Sequence, residues 1–311
     1  MSIRLLTVLL VLTFAVASPG SSAIASSPRQ SHRSKSDADI NAIGHRRIDH
    51  GPNFYSTEKE KDCGKTLAQK VERSYRLIDD AAVREYIQRM AGNLAKNSDA
   101  RFPIAVAVID SDTVETFTLP GGYQYVSRGL LLQLAGDAEL ASVLARGIAH
   151  TALRSWTTLA TKAGITDLAI IPVTPLPVAS SSLNVAASQV ESMQIALLTG
   201  QDELDADYFA VQYIYKAGYD PKSFIDFVQK IGKARSEADE NVSVLLDSFP
   251  PVDVRLAAVR NEISTILPTR SGAIVSTPEF AAFRGRLRIT SSPTKSSPSA
   301  SSHCCRNEKV Y

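Results

Sequence analysis

The stretch that most constrains the fold of this chain is residues 140–154, which read LASVLARGIAHTALR. Its apolar residues recur at the spacing of one face of an α-helix: Leu140, Val143, Leu144 and Ile148. Two side chains with possible chemistry, Arg146 and His150, stand four residues apart and therefore share a helical face. The sequence predicts a central helix that presents these two residues together.

A second predicted helix presents two carboxylates on one face. Residues 201–210 read QDELDADYFA, and Glu203 and Asp207 stand at i and i+4, on one face of the helix. The helix is followed by AGYDP at residues 217–221, a pattern in which Asp220 caps the next helix and Pro221 occupies its first turn.

Together these stretches resemble the HtpX-like and CAAX-prenyl-protease-like zinc metallopeptidases, a family with periplasmic BepA-type members. The resemblance covers roughly residues 51–268. Its motifs keep the family's order: NFYSTEKE at 53–60, LPGGYQYV at 119–126, the helix at 140–154, ELDAD at 203–207 and AGYDP at 217–221. The resemblance implies an H-E-x-x-H motif on the central helix, with two zinc-binding histidines and a glutamate as general base.

The chain departs from that motif at two positions. By the resemblance, His150 and Glu203 occupy zinc-ligand positions, and Asp207 occupies the position of a carboxylate that orients a histidine. Arg146, however, stands at the first ligand position and Gly147 at that of the general base. Arginine has no lone pair to offer a metal, and glycine has no side chain. We therefore expect no catalytic residue, and metal-ligand positions that are only vestigial.

The arginine itself suggests a replacement for the metal. A guanidinium on the helical face of His150 would point at the second helix, so we expect an ion pair between Arg146 and Glu203. We also expect no cofactor. The alternative is an active zinc metalloendopeptidase with a non-standard ligand set, which would bind zinc. A serine protease is disfavoured because no G-x-S-x-G stretch is present.

Composition divides the chain into four parts. Arg4 and the apolar run at 5–17, followed by A-x-A sites, are typical of a secretory signal peptide. The predicted parts are a signal peptide at 1–25, a disordered linker at 26–50, a metallopeptidase-like domain at 51–268 and a flexible Ser/Pro-rich tail at 269–311. A signal peptide implies a periplasmic or secreted protein.

The expected fold class is α+β. The resemblance implies a gluzincin-like metallopeptidase fold, mostly helical, with a small mixed sheet and an edge-strand hairpin. Alternation predicts strands at 103–109 and 123–126, an extended run at 114–119 and a turn at 120–122. In the family, this hairpin forms the edge along which a peptide substrate adds as a further strand. A purely structural hairpin is the other interpretation.

The expected function is that of a non-catalytic, peptide-binding or chaperone-like protein of the cell envelope. Its expected partners are unfolded or extended peptide segments or an envelope protein. A net charge of +2 gives no reason to expect nucleic acid. Residues 165–178 are apolar but interrupted by prolines, which predicts a surface loop or a peripheral contact with a partner or membrane.

Overall fold

A computed structural model describes residues 34–49, 51–162, 164, 200–236 and 250–290. All of these residues belong to one compact unit. The predicted signal peptide, the proline-interrupted segment at 165–178 and residues 291–311 of the predicted Ser/Pro-rich tail lie outside the described residues. Within the described part of the chain, no helix is both long and apolar enough to cross a membrane.

The three described strands follow one another within a short part of the sequence, and helices precede and follow them. Two short 3₁₀ helices, Lys35–Ala38 and Ile40–Ala42, come first. The strands are β1 (Ala105–Ile109), β2 (Thr116–Leu119) and β3 (Tyr123–Ser127). The α-helices are α1 (Thr57–Ser74), α2 (Ala81–Lys96), α3 (Arg128–Gln133), α4 (Asp137–Ala152), α5 (Ser155–Lys162), α6 (Gly200–Lys216), α7 (Ser223–Ser236), α8 (Val252–Thr265) and α9 (Pro278–Ile289). The prediction of a mostly helical α+β fold is confirmed.

The three described strands form one mixed sheet in the order β1-β3-β2. β1 runs parallel to β3, and β2 pairs with β3 in an antiparallel hairpin. The hairpin turn needs glycine: Gly122 has φ +92°, and a Cβ there would lie 2.3 Å from the carbonyl oxygen of Pro103. β2 is therefore an edge strand of the described sheet, as the sequence predicted.

Helix α4 lies in the middle of the domain and packs against α2, α6, α7 and the sheet. Its predicted apolar face is fully buried, with Leu140, Leu144 and Ile148 all 0% exposed. Burial continues around the helix, because Ala141, Ala145 and Ala149 are equally inaccessible. α4 packs extensively against α6, and this contact brings the predicted site residues of the two helices together.

The interpretation of residues 26–50 as a disordered linker does not fit residues 34–49. The guanidinium of Arg46 donates to Asp99 (Nη2–Oδ2 2.6 Å) and to Gln212 (Nη1–Oε1 2.6 Å), and all three side chains are buried. Tyr213 on α6 donates to the same Asp99 oxygen at 2.9 Å. A buried polar network thus fixes a segment whose low apolar content resembles disorder.

The interpretation of residues 269–311 as a flexible tail is likewise too broad. Residues 278–289 form α9, whose side chains Phe280, Phe283 and Leu287 are 3% exposed or less. Phe283 stacks on Tyr86 of α2 with ring centroids 4.5 Å apart. Three apolar residues at helical spacing suffice to dock this short amphipathic helix on the core.

Candidate functional site: an altered metal centre between two helices

Helices α4 and α6 bring the predicted site residues together. Arg146, Gly147 and His150 come from α4, and Glu203 and Asp207 from the first two turns of α6. The Glu203 and Asp207 side chains are 7% and 2% exposed, and those of Arg146 and His150 are each 15% exposed. The cluster is therefore largely removed from water.

The Arg146 side chain lies against the two site carboxylates, Glu203 and Asp207. Nη2 of the guanidinium contacts Oε2 of the carboxylate, and Nε lies 3.4 Å from Oδ1 of Asp207. One arginine thus contributes positive charge to both site carboxylates, Glu203 and Asp207. In a site of low dielectric such charge pairing requires close contact, and the side chains are close.

His150 lies beside this pair. Its Nε2 is 3.6 Å from Oε1 of Glu203, and its Nδ1 is 3.1 Å from Oγ of Ser155. Burial, followed by the positive charges of Arg146 and Arg255, holds the pKa of His150 well below its usual 6.5. The imidazole is therefore neutral at pH 7, and the positive charge in the cluster is carried by the arginines.

Arg255 is a member of the cluster that the sequence did not reveal. Its guanidinium binds Asp207 through two hydrogen bonds, Nε–Oδ2 at 2.6 Å and Nη2–Oδ1 at 2.8 Å. Both side chains are 2% exposed. The signal that could have found it is a lone arginine beside Leu256 on the apolar face of α8. Asp207 thus binds two guanidinium groups in this structure.

The space around Gly147 is occupied by the sheet. A Cβ at this position would lie 2.4 Å from Nε2 of Gln124 and 2.7 Å from Oγ1 of Thr118. Gln124 is 2% exposed, and its Nε2 donates to the carbonyl oxygen of Val143 on α4 at 3.1 Å. The side-chain ends of Gln124 and Thr118 thus lie where a Cβ at position 147 would stand, because β3 and β2 approach the helix closely. A general-base side chain could not occupy this position without displacing Gln124.

The described fold is that of a metallopeptidase domain. Helix α4, which carries the motif positions, lies under the edge strand β2, and α6, which carries Glu203 and Asp207, lies beside it. The chain belongs to Peptidase family M48, whose sequence pattern matches residues 79–263, more than half of the 311 residues. This range holds every member of the cluster.

The chain is similar to two bacterial proteins named beta-barrel assembly-enhancing protease. It is 26% identical to the protein from Yersinia pestis over 226 residues, which cover 68% of this chain and 46% of the relative. For the protein from Escherichia coli K12 the identity is 25% over 228 residues, 68% of this chain and 45% of the relative. The chain thus spans about half the length of these curated relatives.

A plant organellar protein is a further relative. The chain is 27% identical to the mitochondrial metalloendopeptidase OMA1 from Arabidopsis thaliana over 134 residues, which cover 43% of this chain and 27% of the relative. The family resemblance inferred from the sequence motifs is therefore confirmed.

The expectation that the chain has no cofactor is wrong. Membership of M48 and similarity to metalloproteases point to zinc as the cofactor. A catalytic zinc takes three protein ligands and a water. Among the described residues, however, no group of three His, Cys, Asp or Glu side chains is placed to hold a metal. His150 and Glu203 are two donors flanked by two guanidinium groups, so the residues that the structure describes do not fit the family's metal centre.

One further position bears on the site. The sequence has Phe249 before the paired prolines, where the resembled family usually places a histidine that approaches the metal. Phe249 lies outside the described residues.

Proposed function

We propose that this protein is a non-catalytic, peptide-binding member of the M48 family, acting in the cell envelope on unfolded or extended protein segments. The observation that carries the proposal is the state of position 147. Gly147 offers no proton acceptor, and Gln124 and Thr118 fill the space where one would stand. In this proposal the ion pair of Arg146 and Glu203 fills the position of the metal.

Catalysis would suffer whatever the metal content of the protein. Loss of a general base alone costs about 10²–10⁴ in rate. Glu203 stands at one ligand position and contacts Arg146. His150 stands at the other ligand position that keeps a metal donor. We assign these two residues as vestigial ligand positions, and Asp207 as the carboxylate that ties α6 to Arg255.

Retention of the peptide-binding edge supports the other half of the proposal. β2 is an edge strand that lies over α4, and its Thr118 side chain lies against Gly147. Exposed strand edges bind extended peptides through main-chain hydrogen bonds, largely without regard to sequence. Unfolded segments of envelope proteins have this chemistry, and the names of the bacterial relatives refer to assembly of β-barrels. The predicted signal peptide supports an envelope location.

Two measurements on the full-length protein test this function. Casein cleavage is measured with added zinc and with a chelator, beside an active metalloendopeptidase as positive control, and we expect no chelator-sensitive cleavage. Binding of a fluorescently labelled extended peptide is measured by polarisation, and we expect saturable binding. Chelator-sensitive cleavage would overturn the non-catalytic assignment, and absent binding would overturn the peptide-binding assignment.

A second candidate is an active zinc metalloendopeptidase with a non-standard ligand set. Family membership and the adjacency of His150 and Glu203 favour it. It requires that Arg146 leave Glu203 when metal binds. Zinc-dependent cleavage that is lost in Glu203→Gln and retained in Lys162→Ala, a surface variant of α5, would support this candidate over the first.

A further inference from the structure

The outward-facing edge of β2 is closed by a tryptophan. In an antiparallel pair, successive residues direct their main-chain groups alternately toward and away from the partner strand. The carbonyl oxygen of Glu115 accepts from Ser127 on the β3 side, so the main-chain groups of Thr118 point to the opposite, outer side. The carbonyl oxygen of Thr118 accepts a hydrogen bond from Nε1 of Trp156 at 2.5 Å.

The first helical turn of α5 holds Trp156 in this position. The indole packs against Tyr55, Cys63 and Ala160 and remains partly accessible. The chain reaches α5 through Arg154, whose φ is +52°, an uncommon value for a residue other than glycine.

Two hydrogen bonds from the Arg154 side chain anchor the connection that leads into α5. The Arg154 guanidinium donates to Glu60 of α1 (Nε–Oε2 2.6 Å) and to the carbonyl oxygen of Tyr55 (2.7 Å). The tryptophan is thus held over the strand edge by contacts that lie away from the edge itself.

We propose that Trp156 is a gate on the peptide-binding edge: an extended peptide binds by replacing the indole N–H on the Thr118 carbonyl with one of its own main-chain N–H groups. This inference rests on the proposed peptide-binding function and adds its regulation. The partner is a main-chain segment in extended conformation, because the group that Trp156 covers is a strand carbonyl, and a main-chain N–H is the donor that sheet pairing supplies there.

The gate makes peptide binding an exchange of one hydrogen bond for another. In wild type the indole competes with the peptide for the same acceptor. Trp156→Phe keeps an aromatic ring against Tyr55 but removes the donor, so the Thr118 carbonyl becomes free for the peptide. Because the net contribution of one hydrogen bond is modest, we expect peptide to bind about two- to tenfold more tightly to this variant.

Trp156 is also its own probe, since the sequence contains a single tryptophan. Peptide is titrated into the full-length protein while polarisation of the labelled peptide and tryptophan emission are recorded. We expect the emission maximum of wild type to shift with the same midpoint as the polarisation. Lys162→Ala, on the same helix and 43% exposed at its side chain, serves as the matched control and should bind as wild type does.

The outcomes distinguish the proposed gate from the peptide-binding function on which it depends. Tighter binding by Trp156→Phe together with the emission shift supports the gate, as does binding by the variant when wild type does not bind. Peptide binding with unchanged emission and unchanged affinity in Trp156→Phe overturns the gate and leaves the peptide-binding function standing. Absence of binding by both proteins overturns both. Should Trp156→Phe fail to fold, judged by circular dichroism, the wild-type emission titration decides alone.

Discussion

The guanidinium of Arg255 and the carboxylate of Asp207 form a bidentate pair, with distances of 2.6 and 2.8 Å, in which each side chain is 2% exposed. The pair joins α8 to α6 at the second turn of the helix that also carries Glu203. Removing one partner of such a pair leaves a charge buried without compensation, which is far more costly than replacing both partners together.

Arg255→Ala should therefore destabilise the protein by about 3–5 kcal/mol. The measurement is the free energy of unfolding from urea titration at neutral pH. The control is Arg260→Ala, an exposed arginine on the same helix, for which a change within about 0.5 kcal/mol is expected. Equal effects of the two substitutions would mean that the pair with Asp207 does not stabilise the fold.

The pair between Arg146 and Glu203 is tested by a double-mutant cycle. Arg146→Ala leaves Glu203 buried beside a neutral His150 and should cost about 3 kcal/mol. In a Glu203→Gln background the same substitution should cost much less, because no buried negative charge is left unpaired. Lys162→Ala, which removes a long contact of 3.8 Å between an exposed ammonium and Asp202, should cost at most about 1 kcal/mol. Additive costs in the cycle would argue against the pair.

The sequence predicts α4 and the sheet because their signals are local. Apolar spacing identified α4, and alternation with the P-G-G turn identified the hairpin of β2 and β3. The pairing of Arg146 with Glu203 could be predicted because the family resemblance places the two helices side by side. No periodicity in the sequence alone supplies that relationship.

The remainder of the site depends on contacts between distant segments. Arg255 and Asp207 are 48 residues apart in sequence, and nothing near either residue identifies its partner. The same holds for Gln124, which lies against Gly147 only because the sheet packs on α4. Arg46 illustrates the opposite error: its polar neighbourhood in sequence suggests disorder, whereas its partners Asp99 and Gln212 are provided by the core.

The docking of α9 is tested by shortening one aromatic side chain. Phe283 is 3% exposed and stacks on Tyr86, so Phe283→Ala should destabilise the protein by about 3–5 kcal/mol. Ile289→Ala, at the end of the same helix and 83% exposed, should change stability by less than about 0.5 kcal/mol. Thermal and urea unfolding measure both. A Phe283→Ala protein as stable as wild type would restore the interpretation of this region as a tail.

Acid should weaken the contact between α2 and α9. Hydrogen bonding to Arg286 and to the first turn of α2 lowers the pKa of Asp80 from 3.8 to about 2. A carboxyl whose pKa is lower in the folded state stabilises the fold above its unfolded pKa, and that contribution is lost as pH falls through the folded value.

The difference in unfolding free energy between wild type and Asp80→Asn should therefore be largest above about pH 4 and should shrink as pH approaches about 2. The measurement is urea unfolding across that range. Asp79→Asn, at a neighbouring side chain that is 88% exposed, is the control. A difference that grew on acidification would contradict the assigned direction of the shift.

Alanine substitutions at two helical glycines, Gly147 and Gly92, should change stability in opposite directions. Glycine to alanine in a helix interior normally gains about 0.5–1 kcal/mol, and Gly92→Ala in α2 should show this gain because nothing lies within 4 Å of its added Cβ. Gly147→Ala should instead destabilise the protein by about 1–3 kcal/mol, because the new Cβ would overlap Gln124 and force it from the carbonyl of Val143.

The cause of that loss is separable from helix propensity. In a Gln124→Ala background Thr118 still lies close to the added Cβ, at 2.7 Å, so Gly147→Ala should lose only the part of its cost that comes from displacing Gln124. Urea unfolding of the four proteins of this cycle provides the measurement. A stabilising Gly147→Ala in the wild-type background would show that the sheet does not fill the general-base position, and would remove the observation on which the non-catalytic function rests.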